Sequence, residues 1–450
     1  MGGTDILGKE GTIMRDHSNH IELSREEAVA TMLAHCAFAP GVEEVPLEQA
    51  FGRTLAENAL ALVTMPNCLT CNMDSIALRW SDFEQAEGSM PDISGWTRGV
   101  EWQFANTGVG MPEGFDTAIA IENAVVSADN TTLEQIVLPP SRRFAGTSPA
   151  GSRMREGDPV AAAGTLVTPL IAAALAAAGH TSARVVARPR VAFIPTGNEL
   201  VPAGVEVPRG KNIESNSVVV RGKVLAWGGE PAVLPIVPDD PVQIEAAIHR
   251  ACAEADIVVL NAGSSKGSDD WTMELLERIG RVFNHETNHG PGHHSSYALV
   301  DGTPIVGISG PSFGAAFTTD FYLKPLIDVW YGRSPEPKRT FARLVAEFPA
   351  GGPGGKPGTG METGAGAGNR DGKPASAQAG GEERPRIERD APFYAIQFVR
   401  LGESADGTLE ATPIAARGSL VALDGCDAYY PLDRKRPPRA GDVIEVELRG

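Results

Sequence analysis

An alternation of short apolar strands and helices, which begins near Val186, constrains the fold of this chain more than any other feature. In chain order the patterns predict strand Val191–Ile194, helix Pro241–Glu254, strand Asp256–Leu260, helix Trp271–Ile279, strand Pro304–Ile308 and helix Phe313–Val329. Strands that alternate with helices form a parallel sheet, and ligands of such sheets bind at the carboxyl ends of the strands. The sequence therefore predicts an α/β parallel-sheet domain over residues 186–335, with its functional site at that edge.

The rest of the 450-residue chain predicts a multidomain protein. Ser24 and Glu27 have the spacing of a capping box before a helical pattern, and Thr168 followed by Pro169 marks another helix start. Strand patterns in the C-terminal region cover Phe393–Leu401, Leu420–Leu423 and Val443–Leu448. The domains that we predict are a flexible N-terminus (1–20), a discontinuous helical linking domain (21–57 and 148–185), an inserted small β domain (58–147), the α/β domain (186–335), and a C-terminal β domain (336–450) interrupted by a disordered linker or insertion (350–384).

Composition and charge exclude several classes of protein. The chain carries 39 basic and 57 acidic residues, a net charge of −18, whereas a protein that coats nucleic acid needs Lys and Arg to neutralise phosphates. Five cysteines, an odd number in a long chain, do not indicate a disulfide scaffold. The first twenty residues contain no apolar run, and the helix within Thr165–Gly179 spans only roughly 15 Å of the roughly 30 Å that a bilayer core requires. We therefore expect a cytoplasmic protein that binds neither nucleic acid nor membranes.

Small and polar residues follow each of the three predicted strands. PTGNEL, with Gly197 and Glu199, follows the first strand, NAGSSKGSDDWT follows the second, and SGPSFG follows the third. Small residues let backbone N–H groups approach an anion, and carboxylates on neighbouring loops can hold a Mg²⁺ that bridges phosphate oxygens. Each loop alone is equally compatible with ordinary turn chemistry, and GSSKGS lacks the residue order of a Walker A loop. Together the three loops predict a site for a phosphorylated ligand and a divalent cation.

Eight motifs occur in one order along the chain. They are VPLEQAFGRTLAENALA, CNMDSIAL, FANTGVGMPEGFDTAIAIEN, GSRMREGD, RPRVAFIPTGNEL, NIESNS, VPDDP and AGSSKGSDDWT. With these motifs, from about Ile21 to the C-terminus, the chain resembles the molybdopterin molybdotransferase family, the enzymes related to the gephyrin E domain. The 350–384 stretch is an extra insertion in this comparison. The resemblance implies the multidomain fold of that family, with an α/β domain of the molybdopterin-binding type.

The resemblance also implies roles for the residues that match the family's motifs. Asp74, Glu199, Asp239 and Asp270 are the implied catalytic residues, and the last three would surround a Mg²⁺. Arg155 matches the arginine of the GSRMREGD segment, with Arg153 as the alternative. The implied substrate-binding residues are Thr107, Arg155, Gly197, Ser215, Ser264, Ser265, Lys266, His293, Ser309 and Gly310.

The function implied by the resemblance belongs to molybdenum cofactor biosynthesis. Enzymes of the family insert molybdate into adenylylated molybdopterin in a Mg²⁺-dependent step that releases AMP. The resemblance further implies a homodimer in which a partner subunit supplies Asp74, Thr107 and Arg155, and a molybdoenzyme as the client that receives the cofactor.

Departures from the family pattern leave two alternatives open. HGPGHH stands where the family has KPGK, so that Gly290 and His293 occupy the positions of two anion-holding lysines. SGPSFG replaces LPGNP, and PNCLTCNMDS replaces PPFDNSAMDG. One alternative is an enzyme of the same fold that acts on another oxyanion, such as tungstate, or on another pterin nucleotide. The other is a non-catalytic carrier or scaffold that binds molybdopterin species.

Two further clusters have both a functional and a plain structural interpretation. His285, His289, His293 and His294 lie in HETNHGPGHH, where Gly290-Pro291-Gly292 prevents one continuous helix. They form either a histidine-rich loop or a site for a metal ion or an oxyanion, in which a protonated His293 could stand in for a lysine. Cys68 and Cys71 form a lone CxxC that is either inert or redox-active, because zinc would need two further ligands. The basic run Arg434–Arg439 is interpreted as a solvated loop.

Overall fold

A computed structural model describes residues 21–86, 90–262, 272–349, 392–416 and 418–449 of the chain. The predicted flexible N-terminus (1–20) and linker (350–384) lie outside the described residues, as do Ser264, Ser265, Lys266 and Asp270. The chain divides into two compact units, Met1–Pro40 with Arg188–Gly450, and Gly41–Ala187. Among the described residues, no helix has the length and apolarity needed to cross a bilayer.

The first unit contains a six-stranded sheet that carries the predicted α/β domain. In spatial order its strands are Glu230–Val233, Arg190–Pro195, Ile257–Ala262, Thr303–Ser309, Ser296–Val300 and Arg281–Asn284. The first four strands are parallel, and the last two pair antiparallel. The three strands predicted from apolar runs are therefore confirmed, and they are direct neighbours in the sheet.

The helices that pack on this sheet have apolar residues spaced to form one buried face. Pro241–Glu254 places Ile244 and Ile248 one turn apart, and both are buried against Val258 and Leu260 of the sheet. The Asp240 side chain accepts a hydrogen bond from the Gln243 N–H at 2.9 Å and caps this helix. Two further helices are Asn216–Ala226 and Thr272–Ile279, and the latter buries Leu275 and Leu276 in the same core.

The single helix predicted over Phe313–Val329 is wrong, because two helices occupy that stretch. They are Ser312–Tyr322 and Lys324–Trp330, with Leu323 between them. Pro325 has no N–H to continue the first helix, although it is well tolerated in the first turn of the second. The break at Leu323 lets both helices bury most of their residues.

The C-terminal β domain is a closed sheet with a short additional strand. Its strands in spatial order are His289–Gly290, Tyr394–Glu403, Leu409–Pro413, Arg339–Leu344, Val443–Leu448 and Ala428–Asp433. Tyr394–Glu403 also pairs with Ala428–Asp433, so the five longer strands form a ring without free edges.

The strand predicted over Leu420–Leu423 is wrong, because the chain forms a helix at Leu420–Asp424 there. The Ser419 hydroxyl accepts a hydrogen bond from the Ala422 N–H at 3.2 Å and starts the helix. A four-residue apolar run does not distinguish a buried strand from a short helix, and the N-cap decides here.

One buried ion pair connects the N-terminal helix Arg25–Leu33 to the closed sheet. The guanidinium of Arg25 donates to both carboxylate oxygens of Glu447, each at 2.6 Å, and lies 4.4 Å from the centre of the Phe321 ring. Burial would raise the pKa of Glu447, but the hydrogen bonds and charge of Arg25 outweigh it and hold that pKa below its usual value. The capping box predicted at Ser24 and Glu27 is confirmed at the start of the same helix.

Among the described residues, the second unit contains three small cores, one of them formed by Cys71, Ala77, Ala105 and Ala118. A three-stranded antiparallel sheet, Gln103–Ala105, Ser75–Leu78 and Thr117–Ala120, surrounds Trp102. The third core is formed by the helix Pro169–Ala177 and its neighbours, including the paired strands Val42–Pro46 and Ser182–Val186. Thr168 caps that helix as predicted. Because the second unit begins at Gly41, the 21–57 segment of the predicted linking domain falls partly in each unit.

We expect Arg25→Met to weaken the first unit by about 3 kcal/mol, because it leaves the Glu447 carboxylate buried without its main partner. The control is Arg250→Met, since Arg250 pairs with Glu254 on the surface and exposed pairs contribute below about 1 kcal/mol. Hydrogen–deuterium exchange of the strands Tyr394–Glu403 and Val443–Leu448 measures the local change in both variants. Equal protection in Arg25→Met and the wild-type protein would show that the pair contributes no stability.

Candidate active site

The carboxyl ends of three neighbouring parallel strands are joined by buried hydrogen bonds. The Thr196 hydroxyl, just after Arg190–Pro195, donates to the Asn261 carbonyl at 2.7 Å. The Asn216 amide nitrogen donates to the Asn261 side-chain oxygen at 2.8 Å and to the Gly310 carbonyl at 2.8 Å. Since buried polar groups are strongly favoured to be paired, these bonds fix three loops with respect to one another.

Asn216 also offers an unused acceptor at this edge. Its side-chain oxygen is buried and has no hydrogen-bond partner among the residues that the structure describes. Asn261, which the Asn216 amide contacts, lies in the strand Ile257–Ala262. A buried acceptor without a partner is uncommon in a folded protein and is typical of a site that binds a further donor.

Glu199 and Asp239 both contact the turn at Gly197 and Asn198, at the same edge of the sheet. The Asp239 carboxylate accepts from the Asn198 N–H at 2.8 Å, and its own N–H donates to the Asn198 side-chain oxygen at 3.2 Å. Gly197 has φ of +146°, and a Cβ there would lie 2.6 and 2.7 Å from the two Glu199 carboxylate oxygens. Glycine is therefore required for Glu199 to fold back over this turn.

The two carboxylates fit the requirements of Mg²⁺. Glu199 is exposed and Asp239 is half-buried, so water can complete the coordination shell. Mg²⁺ usually retains several waters and is bound through one or two carboxylates together with substrate phosphates. The third predicted ligand, Asp270, lies outside the described residues, and the metal role of the set stays a prediction.

Ser215, Ser309 and Gly310 also lie at this edge. The Ser215 hydroxyl is 3.0 Å from the hydroxyl of Ser312, the first residue of the helix Ser312–Tyr322. Ser309 is buried at the end of its strand, where a Cβ on Gly314 would lie 2.7 Å from its hydroxyl. Together with the Gly310–Asn216 bond, these contacts place three predicted substrate-binding residues beside the start of that helix, whose N-terminus favours an anion.

Sequence reasoning did not single out several polar residues at the edge. Thr196, Asn216 and Asn261 carry the buried bonds, and Lys211 donates from its Nζ to the Asn198 carbonyl. Asn216 belongs to the quoted NIESNS motif, and this is the only signal that could have identified it. Thr196 and Asn261 also lie within quoted segments, but their roles depend on contacts with distant parts of the chain, which local sequence does not record.

In the second unit the structure brings Asp74 and Thr107 together. One Asp74 carboxylate oxygen accepts from the Thr107 N–H at 3.0 Å and from its hydroxyl at 3.1 Å. These two hydrogen bonds lower the pKa of Asp74 because they stabilise the charged carboxylate. Arg155 is exposed, and its backbone N–H donates to Asp158 at 2.7 Å. The neighbouring alternative, Arg153, is also exposed.

The two cysteines of the CxxC lie in different environments. Cys71 is buried with its sulfur 3.8 Å from that of Met111, and burial raises the pKa of its thiol. Cys68 is exposed, and both cysteines are free thiols. A thiol with a raised pKa is a poor nucleophile, which favours the inert interpretation for Cys71.

The four clustered histidines separate into two groups. His285 contacts Glu277 through Nε2 at 2.7 Å and accepts from the Ile21 N–H at 3.1 Å. His289 is buried, with Nε2 2.6 Å from the Tyr322 hydroxyl, and burial together with the charge of Arg25 lowers its pKa to about 3. Their surroundings are strands, so His285 and His289, four residues apart, do not share the face of a helix as a pair of metal ligands could.

His293 and His294 form the second group. Their ring centres are 3.7 Å apart, and His294 Nδ1 lies 3.1 Å from a carboxylate oxygen of the buried Glu286. The predicted role of His293 as an anion-holder stays a prediction. At Gly290, the other position matched to a lysine, a Cβ would lie 3.0 Å from the Phe393 ring, so a larger side chain would require that ring to move.

Comparisons with known proteins agree with this architecture. Residues 23–179 match the family model described as the MoeA N-terminal region (domain I and II), and residues 192–328 match the one described as a probable molybdopterin binding domain. The molybdopterin molybdenumtransferase of Haemophilus influenzae is 26% identical over 313 residues, which cover 68% of this chain and 77% of that protein. The enzyme of the same name from Bacillus subtilis is 27% identical over 325 residues, covering 68% and 75%.

A solved structure has the same fold over nearly the whole chain. It is that of the molybdopterin biosynthesis moea protein from Pyrococcus horikosii, with a TM-score of 0.70 and 21% sequence identity. The match covers 95% of this chain and 100% of that chain. At this identity the likeness establishes the fold: an α/β domain accompanied by smaller β domains.

We expect Thr107→Val to raise the pKa of Asp74 partway towards its ordinary value, because the hydroxyl bond is lost while the backbone N–H bond remains. NMR titration of the aspartate side-chain carbons measures this shift. The internal control is Asp92, whose pKa is lowered by Ser94 and should be unchanged in the variant. An unchanged Asp74 pKa would show that the hydroxyl does not contribute to its ionisation.

Proposed function

Since this chain belongs to the molybdopterin molybdotransferase family, we propose that it inserts molybdate into adenylylated molybdopterin in a Mg²⁺-dependent reaction that releases AMP. The chain is a transferase of molybdenum cofactor biosynthesis. The observation that carries the detailed proposal is the joined edge of the parallel sheet, where Asp239 is bonded to Asn198, next to Glu199, and Asn216 and Asn261 link this edge to Gly310.

The edge has the groups that a pyrophosphate linkage requires. Ser309 and Gly310 allow close backbone approach by a phosphate, at the start of an eleven-residue helix whose N-terminus favours negative charge. Asn216 and Thr196 keep this loop and the Glu199 turn in a fixed relation through Asn261. A preorganised arrangement of this kind contributes to catalysis because it needs no rearrangement when charge develops.

Glu199 and Asp239, with Asp270, are the residues that we propose hold Mg²⁺. The ion would neutralise charge on the phosphate oxygens of the linkage to AMP as that bond breaks. Two hydrogen bonds with Asn198, one to the carboxylate and one from the backbone N–H, hold Asp239 in place. The orientation of its second carboxylate oxygen therefore does not depend on bound substrate. A side chain at Gly197 would be strained at its positive φ and would collide with the present position of the Glu199 carboxylate.

Asp74, Thr107 and Arg155 are the proposed substrate-binding and catalytic groups of the second unit. Two hydrogen bonds from Thr107 orient the Asp74 carboxylate and stabilise its charged form. Arg155 presents an exposed guanidinium, whose planar fork can bond a phosphate through two N–H groups. We propose that the enzyme acts in the cytoplasm as a homodimer and delivers its product to a molybdoenzyme.

A different oxyanion, such as tungstate, is the alternative that one observation favours. The two positions matched to family lysines hold Gly290, which packs against Phe393, and His293, which lies beside His294 and near the Glu286 carboxylate. Neither supplies the permanent positive charge of a lysine. The Glu199 and Asp239 arrangement, in contrast, favours an enzyme over a non-catalytic carrier, because a carrier has no need of oriented metal-binding carboxylates.

We expect purified protein with adenylylated molybdopterin and Mg²⁺ to release AMP only when an oxyanion is added. Chromatography of the nucleotide, with molybdate and tungstate compared at equal concentration, measures both activity and preference. Faster release with tungstate would establish the alternative substrate. Retention of intact nucleotide with either oxyanion would contradict the enzymatic proposal and indicate a carrier.

Glu199→Gln and Asp239→Asn should each reduce AMP release by roughly 100-fold, because loss of even an outer-shell partner of a metal ligand reduces metal affinity or activity by about 10- to 100-fold. Both substitutions preserve shape and remove charge. The matched control is Glu206→Gln, an exposed carboxylate after the same strand, which should remain within about twofold of the wild-type rate. Turnover of Glu199→Gln or Asp239→Asn within a few-fold of wild type would overturn their proposed metal role.

A further inference from the structure

A cluster of three potential metal ligands lies in the segment that replaces the family's lysines. The ligand atoms of Glu286, His293 and His294 all lie within 4.8 Å of one another. Glu286 is only 2% exposed, and both histidines are half-buried. His294 Nδ1 lies 3.1 Å from the Glu286 carboxylate, so the imidazole and the carboxylate already face the same small volume.

Hydrogen bonds between the two flanks of the 284–295 segment hold the backbone around these three residues. The Thr287 N–H, next to Glu286, donates to the His293 carbonyl at 2.8 Å. The Asn284 amide donates to the Ser295 carbonyl at 2.9 Å and to the Glu286 carbonyl at 3.3 Å. The cluster is thus part of a hydrogen-bonded hairpin-like segment, which favours a defined ligand geometry.

The chemistry of the cluster favours a cation over an anion. A carboxylate among the ligands repels an oxyanion, and two protonated imidazoles with ring centres 3.7 Å apart would repel each other. Two neutral imidazoles and a carboxylate are instead a common ligand set for Zn²⁺, with bonds of about 2.0–2.2 Å. Tetrahedral geometry then places ligand atoms about 3.4 Å apart, within the present separation of at most 4.8 Å, and the two imidazole rings would rotate away from their present contact to bind one ion.

We propose that Glu286, His293 and His294 bind one divalent transition-metal ion of the Zn²⁺ class, with the fourth coordination position open to water. The site is distinct from the proposed Mg²⁺ site, because imidazole ligands suit Zn²⁺ and neighbouring metals whereas carboxylate and water oxygens suit Mg²⁺. The proposal does not depend on the proposed transferase reaction.

The cluster lies in a segment that reaches the edge of the parallel sheet. Gly292, directly before His293, packs against Thr318 and near Gly314 of the helix Ser312–Tyr322, and Gly314 also contacts Ser309. The bound metal would therefore fix the 286–294 segment against the helix that starts at the candidate active site.

The experiment uses the full chain after treatment with a chelator, followed by titration with Zn²⁺ and, separately, with Co²⁺. Calorimetry should give one tight Zn²⁺ per chain, and Co²⁺ should develop the visible absorption of a four-coordinate site with nitrogen and oxygen ligands. His293→Asn and His294→Asn should each weaken Zn²⁺ binding at least tenfold and abolish the Co²⁺ absorption. Glu286→Gln should do the same, and the two histidine variants decide the matter if burial of position 286 prevents that variant from folding.

Two controls separate this site from others in the chain. His249 forms a shorter pair, with Asp301 at 2.6 Å, but belongs to no three-ligand group among the described residues, so His249→Asn should retain full Zn²⁺ affinity. Glu199→Gln should also retain it while losing AMP release, which distinguishes failure of this proposal from failure of the proposed function. Absence of stoichiometric Zn²⁺ binding, or equal binding in wild type, His293→Asn and His294→Asn, would overturn the metal site.

Discussion

The parallel pairing of three strands is the constraint on which the candidate active site depends. Pro195 is opposite Asn261, and Asn261 is opposite Ile308, so three loops leave the sheet side by side. Shifting one strand by a single residue would turn every side chain to the other face of the sheet, and because both faces are buried, each side chain would then have to fit a core shaped for a different one. The register that satisfies the core therefore also sets the positions of the Glu199 turn and the Ser309–Gly310 loop.

Buried polar bonds then convert neighbouring loops into one site. Asn216 reaches Asn261 and Gly310 from a helix that begins outside these loops, and Asn261 also accepts the Thr196 hydroxyl. Each bond alone adds only about 1 kcal/mol of stability, but an unpaired partner in this interior would cost more than the bond contributes. The network therefore contributes more to a defined geometry of the site than to the stability of the fold. Backbone contacts can then hold the exposed carboxylates in place.

Much of the fold was predictable because its information is local. Apolar runs identify the strands at 190–195, 257–262 and 303–309, and capping residues identify helix starts at Ser24 and Thr168. The same local reasoning fails at Leu420–Leu423, where Ser419 caps a helix, and at 313–329, where Pro325 begins a second helix. The roles of Asn216 and Asn261 escaped prediction for another reason, since they depend on partners 45 and 94 residues from Asn216.

The histidines of the 285–294 segment lie in two contrasting environments, one aromatic and one acidic. His289 is enclosed by aromatic rings and near Arg25, which keeps it neutral, whereas His293 and His294 share a small volume with a buried carboxylate. In sequence these histidines lie within six residues and are indistinguishable. Because Gly290 packs on Phe393, this segment cannot simply regain a lysine there. A metal ion held by Glu286, His293 and His294 would supply positive charge without a cationic side chain. The buried Glu286 carboxylate would then be needed as a ligand of that ion.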